Sequence, residues 1–180
     1  DPGASESSMT IFGFDSTDQV VSHWSKVMAG KVGSDFGGHS TCESFWDPHL
    51  ARGPEAAYVS FFQMHAPYEI EGGWEKKSKE LEEAILDKWQ RAAPNMRREN
   101  IIMTNAETPV DIEIRFPNMR RGSIKHGDYI TLQLGYFRPN SDCSTSKTPI
   151  EGLYLCGAST HSGGMVTGGA GYIAANKVAE

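Results

Sequence analysis

Basic residues are in short supply: 17 Lys and Arg stand against 23 Asp and Glu in 180 residues, a formal charge of -6. Binding to a phosphate backbone through released counterions needs the opposite sign, so nucleic acid is not an expected partner. Cysteine is scarce as well. Cys42, Cys143 and Cys156 are odd in number and widely spaced, which suggests neither a disulfide framework nor a paired zinc motif, and a reducing compartment is expected. No apolar run reaches the roughly 18 residues of a membrane-crossing helix, and the opening DPGASESS has neither the basic nor the apolar region of a signal peptide. The expected location is cytoplasmic, with peripheral membrane attachment as the alternative. The histidines scatter, and only His39 and Cys42 stand at ligand-like spacing. A metal centre needs three or four ligands, so none is expected.

What is present is an ordinary soluble balance, 38% hydrophobic, 22% charged and 10% aromatic, long enough to bury a core. Residues 1–8 read as a disordered lead-in, and 9–14 as a short strand. Ser16 followed by Gln19 is a capping-box pattern, and Val20, Val21, Trp24, Val27 and Met28 continue at helical spacing, predicting a helix over about 16–29. Residues 41–46 and 57–64 have strand character, the second run being a candidate buried strand. Trp74, Leu81, Ile85 and Trp89 share one face of a helix expected over about 73–92, whose charges form a solvated opposite face. Further strands are expected at 100–104 and 129–137. Thr108 before Pro109 marks a short helix running to Ile114.

Glycine is the residue in excess. Seven of the 19 fall between Gly152 and Gly171, where residues 152–157 read as a compact buried strand, followed by a glycine-rich turn and a small-residue helix over 169–179. Such a unit offers bare backbone N–H groups and the positive end of a helix dipole, which suits a phosphate, a carbonyl oxygen or a delocalised anion. Two motif readings compete there. Gly169-Ala170-Gly171-Tyr172-Ile173-Ala174 fits the G-x-G-x-x-G/A dinucleotide fingerprint, but it begins twelve residues after the strand ends, and no acidic residue follows some 20 positions on. Gly157-Ala158-Ser159-Thr160-His161 suggests a nucleophile elbow with Ser159 as a hydrolase nucleophile. His161, however, replaces the second glycine, and the required order of Asp or Glu and then His is missing downstream.

The run from Gly152-Leu153-Tyr154-Leu155-Cys156-Gly157-Ala158-Ser159-Thr160-His161 through Ser162-Gly163-Gly164-Met165-Val166, closed by Gly169-Ala170-Gly171 and Ala174-Ala175, resembles the C-terminal flavin-binding signature of the phytoene desaturase-like FAD-dependent oxidoreductases, within the flavin amine oxidase and carotenoid desaturase superfamily. The resemblance continues upstream in the same order through Asp47-Pro48, Trp74, Ala93-Pro94-Asn95, Thr108-Pro109, His126-Gly127-Asp128, Arg138-Pro139 and Thr148-Pro149. Ser162 and Met165 stand where the family often has proline and glycine.

The resemblance implies FAD as cofactor. Gly157, Ala158 and Ser159 would lie along its ribityl and pyrophosphate region, with Gly164, Met165 and Val166 near the pyrimidine edge of the isoalloxazine. It implies an α/β (α+β) fragment: a mixed-sheet, substrate-covering portion over 9–148, then the last strand and helix of a Rossmann-like FAD domain over 149–180. The expected activity is oxidation of a hydrophobic small molecule by hydride transfer to flavin, in partnership with an N-terminal FAD-binding half outside these residues. No catalytic side chain is assigned, His161 being the first to test. A silent, self-associating or substrate-binding module, forming a homo-oligomer, is the alternative expectation.

Overall fold

A computed structural model describes residues 7–53, 58–128, 130–164 and 167–180. The chain divides into two compact units, Asp1–Thr108 and Pro109–Glu180. The expected combination of α and β is present, among the described residues as a three-stranded sheet with four α-helices.

In the first unit, β1 (Thr10–Phe12), β2 (Gly38–Thr41) and β3 (Phe61–Gln63) form an antiparallel sheet in the order β1-β2-β3. Ile11 is paired with His39, and His39 in turn with Gln63. Helix α1 (Thr17–Met28) opens as the sequence predicts: Ser16 Oγ accepts the Gln19 N–H at 3.3 Å, while the Gln19 side chain accepts the Asp15 N–H at 2.8 Å. Helix α2 (Trp74–Ala92) supplies Trp89, whose ring lies 5.6 Å from Phe12 and 6.1 Å from Phe62, and these two rings are 4.9 Å apart. This aromatic triangle joins α2 to both outer strands. Gly38 is required beneath it: a Cβ there would come 2.8 Å from the tip of the Phe62 ring and collide with the Gln63 carbonyl. Phe36, only 2% exposed, is capped by the Lys88 ammonium 4.7 Å above its ring.

The second unit holds α3 (Pro109–Arg115) and α4 (Gly169–Ala179), linked by short 3-10 turns. Among its described residues, β pairing is limited to a bridge between Lys147 and Tyr154, with the Leu155 N–H donating to Ser146 O at 2.8 Å. Ala170 and Ala174 of α4 are buried, whereas Tyr172 on the same helix is 73% exposed.

Several expected strands are corrected. The strand placed at 41–46 lies upstream, at Gly38–Thr41, and Glu43–Phe45 is a 3-10 turn. The run at 57–64 is reduced to Phe61–Gln63 and is not buried, with Phe61 53% exposed; Ala57 lies outside the described residues. Residues 101–108 are irregular rather than extended in a sheet. In place of the strand over 129–137 there are 3-10 turns at Thr131–Gln133 and Gly135–Phe137, Tyr129 lying outside the described residues. The run at 152–157 keeps only the bridge at Tyr154, and Leu153 and Cys156 are exposed. The cause is common to all of them: β-rich composition marks residues that suit a half-buried pleat, and without a neighbouring strand to pair with they turn instead.

Candidate functional site

The glycine-rich segment folds back on itself at the start of α4. Its φ of 71° at Gly168 places the helix cap in the left-handed region, where glycine is at ease. The first amides of α4 point out of the helix with no acceptor inside it, because the first bond to close is Tyr172 N–H to Gly168 O at 2.9 Å. Facing them is the turn at 157–160, closed by Thr160 N–H to Gly157 O at 3.1 Å and by the Thr160 hydroxyl to the same carbonyl at 2.9 Å. Between turn and helix lies a cavity of about 170 Å³, half open to solvent. Gly157, Gly163, Gly164, Gly168, Gly169 and Gly171 line it, with Ala158, Thr167 and Ala170. Its wall is therefore almost entirely main chain.

Four of the six residues assigned to a cofactor from the sequence are described. Gly157, Ala158 and Gly164 line the cavity, Gly157 having a φ of 105°. Ser159 is exposed beside it, and its Oγ lies 3.0 Å from His126 Nδ1. Met165 and Val166 lie outside the described residues. His161 is exposed and follows the buried Thr160, and it does not line the cavity.

Two residues that sequence reasoning had not placed at this site now join it. The first is Arg138, which enters the sequence reading only with Pro139 in the upstream part of the resemblance. It is 3% exposed and bonds to a ring of backbone carbonyls. Nε and Nη2 both donate to Ala158 O, at 3.2 and 2.6 Å, Nη1 donates to Gln133 O at 3.1 Å, and Nη2 also reaches Lys125 O. The second is His126, held at a φ of 56°. Its Nε2 faces the Asn118 side-chain nitrogen at 3.5 Å. Each ring nitrogen of His126 thus has one polar neighbour, and the tautomer decides which of the two donates.

The cavity can be tested against a flavin cofactor. A Cβ built at Gly157 or Gly168 would meet nothing within 4 Å, so both glycines border open space where a flat group can approach the main chain closely. The unpaired amides at the start of α4 favour negative charge. At about 170 Å³ the cavity is smaller than the roughly 300 Å³ at which ligand pockets begin, so it fits one edge of such a group and not the whole. Among the described residues no cluster of three or more His, Cys, Asp or Glu is arranged to hold a metal, and no helix is long and apolar enough to cross a membrane.

No protein-family model matches the chain, and no solved structure does. Curated proteins do. The chain is 39% identical, over 185 aligned positions, to one of the subunits of limonene dehydrogenase from Castellaniella defragrans, an alignment covering all of this chain and 33% of that protein. It is 36% identical over 135 positions to pyridine nucleotide-disulfide oxidoreductase domain-containing protein 2 of Mus musculus, and 37% over 136 positions to its Rattus norvegicus counterpart, in each case 73% of this chain and 23% of the relative. The chain thus spans a third or less of the length of these relatives, whose names place them among dehydrogenases and oxidoreductases.

Proposed function

We propose that this chain is the C-terminal part of a longer FAD-dependent oxidoreductase of phytoene desaturase-like type, acting on a hydrophobic small molecule. The observation that carries the reading is the glycine-walled cavity at the start of α4, formed by the segment whose sequence resembles a flavin-binding signature. Two further supports are the dehydrogenase and oxidoreductase names of the relatives, and limonene, a hydrocarbon, in the name of one. Residues 149–180, with the bridge at Tyr154, the glycine-rich turn and α4, serve as the returning segment of the FAD domain, and 9–148 as the portion that covers substrate.

When bound, the flavin supplies the redox chemistry by accepting hydride equivalents from the substrate. The chain's own residues bind and orient it. Gly157, Ala158 and Ser159 present main chain along its ribityl and pyrophosphate region. The sequence resemblance assigns Gly164, with Met165 and Val166, to the pyrimidine edge, and the amides opening α4 would favour the negative charge of the reduced state. Cytoplasmic location belongs to the same proposal.

The test is the whole protein carrying this chain, purified and inspected for flavin. A yellow preparation that releases FAD on denaturation is the expected result. A colourless protein that stays colourless after FAD is added would sink the reading. One observation favours a second reading, a module that self-associates: Ile11 on edge strand β1, Trp46 and Tyr58 are each more than 60% exposed. Sedimentation of the isolated chain as a dimer, with no affinity for FAD, would support that alternative.

A further inference from the structure

The Ala158 carbonyl takes two N–H donors from one buried guanidinium. In a trans peptide the C=O and the following N–H lie in one plane and point in opposite directions. The Ala158–Ser159 bond is not among the cis bonds of the chain, so drawing Ala158 O towards Arg138 turns the Ser159 N–H away from it. That N–H has no acceptor among the described residues, whereas the N–H of Thr160, next along, is spent on Gly157 O. Of the turn's four amides, those of Gly157, Ala158 and Ser159 thus have no acceptor among the described residues, and the Ser159 N–H is the one whose direction a side chain sets from behind.

Resting on the flavin reading above, we propose that Arg138 is a positioning residue for the cofactor: by holding the Ala158 carbonyl it aims the Ser159 N–H at an anionic or carbonyl oxygen of the bound group. The geometry explains why arginine is used. Nε and both Nη atoms engage carbonyls of Lys125, Gln133 and Ala158 at once, which needs a planar fork of five donors. Lysine keeps the charge but offers three donors on a single nitrogen, and it cannot span the same ring. The carbonyls Arg138 ties together, at Lys125, Gln133 and Ala158, lie in turns, outside the α-helices and strands of the described residues.

The experiment is a cycle of two changes read by FAD affinity in the whole protein. One is Arg138→Lys. The other replaces the Ala158–Ser159 amide with an ester, removing the N–H and leaving the serine side chain; Cys156 provides a ligation point for a synthetic segment 156–180. Each change alone is expected to weaken FAD binding about tenfold, the worth of one hydrogen bond to a charged acceptor. Together they are expected to do no more than the ester alone, because both remove the same donor. Additive losses, or an ester that binds FAD as well as the amide, would overturn the role of Arg138 while leaving the flavin reading intact. Should Arg138→Lys fail to fold, the ester still decides, since Arg138 is untouched in it. An unmodified protein without affinity for FAD overturns both.

Discussion

His23 is the most consequential single side chain of the first unit outside the sheet. It is 3% exposed against Phe14, and among the described residues neither ring nitrogen closes a hydrogen bond, the nearby His65 backbone offsetting only part of the loss of water. Burial therefore holds its pKa below the ordinary 6.5. The unfolded chain takes up a proton as pH falls through 6.5 and the folded chain resists it, so stability is full above that value and declines below it. Thermal unfolding midpoints should drop from about pH 7 to about pH 5, and His23→Phe should flatten that drop; an unchanged slope in the variant would assign the effect elsewhere. Asp35 works in a lower window. The Lys26 ammonium at 2.5 Å and the Ser22 hydroxyl at 2.6 Å bring its carboxyl down to about 2 from 3.8. Its contribution is present above 3.8 and lost as pH falls towards 2, so Asp35→Asn should lower stability at neutral pH and converge with the parent protein in acid.

Among the elements, helices declared themselves, while of the strands the run at 9–14 held as β1 and most others did not. The 3.6-residue period and the capping pair Ser16 and Gln19 place α1 to within a residue of its observed ends, and α2 likewise, since both signals are local. Ser16→Ala should accordingly cost about 1 kcal/mol in denaturant unfolding. Strand identity depends on a partner distant in sequence, which explains why 100–104 and 129–137 misled while the short β2, with a glycine and a histidine, paired on both sides. The position of Gly38 in that sheet makes a sharper test. Gly38→Ala forces a Cβ onto the Gln63 carbonyl and the Phe62 ring, and a loss of about 1–3 kcal/mol is expected from overpacking. At the candidate site the glycine crowding was legible because it is a matter of composition. Arg138 was not, since its partners are carbonyls at 125, 126, 128, 133 and 158 and no side-chain pattern announces them.

For the molecule as a whole, the division at Thr108 separates the chromophores. Trp24, Trp46, Trp74 and Trp89 all belong to the first unit, so tryptophan fluorescence follows that unit during unfolding. Gly38→Ala should shift the fluorescence transition. Gly122→Ala, at a φ of 69° with its Cβ driven into the Pro109 backbone, should instead lower a far-ultraviolet circular dichroism transition and leave fluorescence in place. Coincident shifts in both probes would mean that the units unfold as one. The cavity at α4 carries a different lesson for anyone dissecting it. Because main chain and not side chains forms its wall, trimming the larger side chains around it to alanine removes almost nothing that a ligand touches. Besides changes to the main chain itself, adding atoms interrogates it, as in Gly171→Ala, where the new methyl has room beside Cys156 and any loss of binding reports the space it took from the ligand.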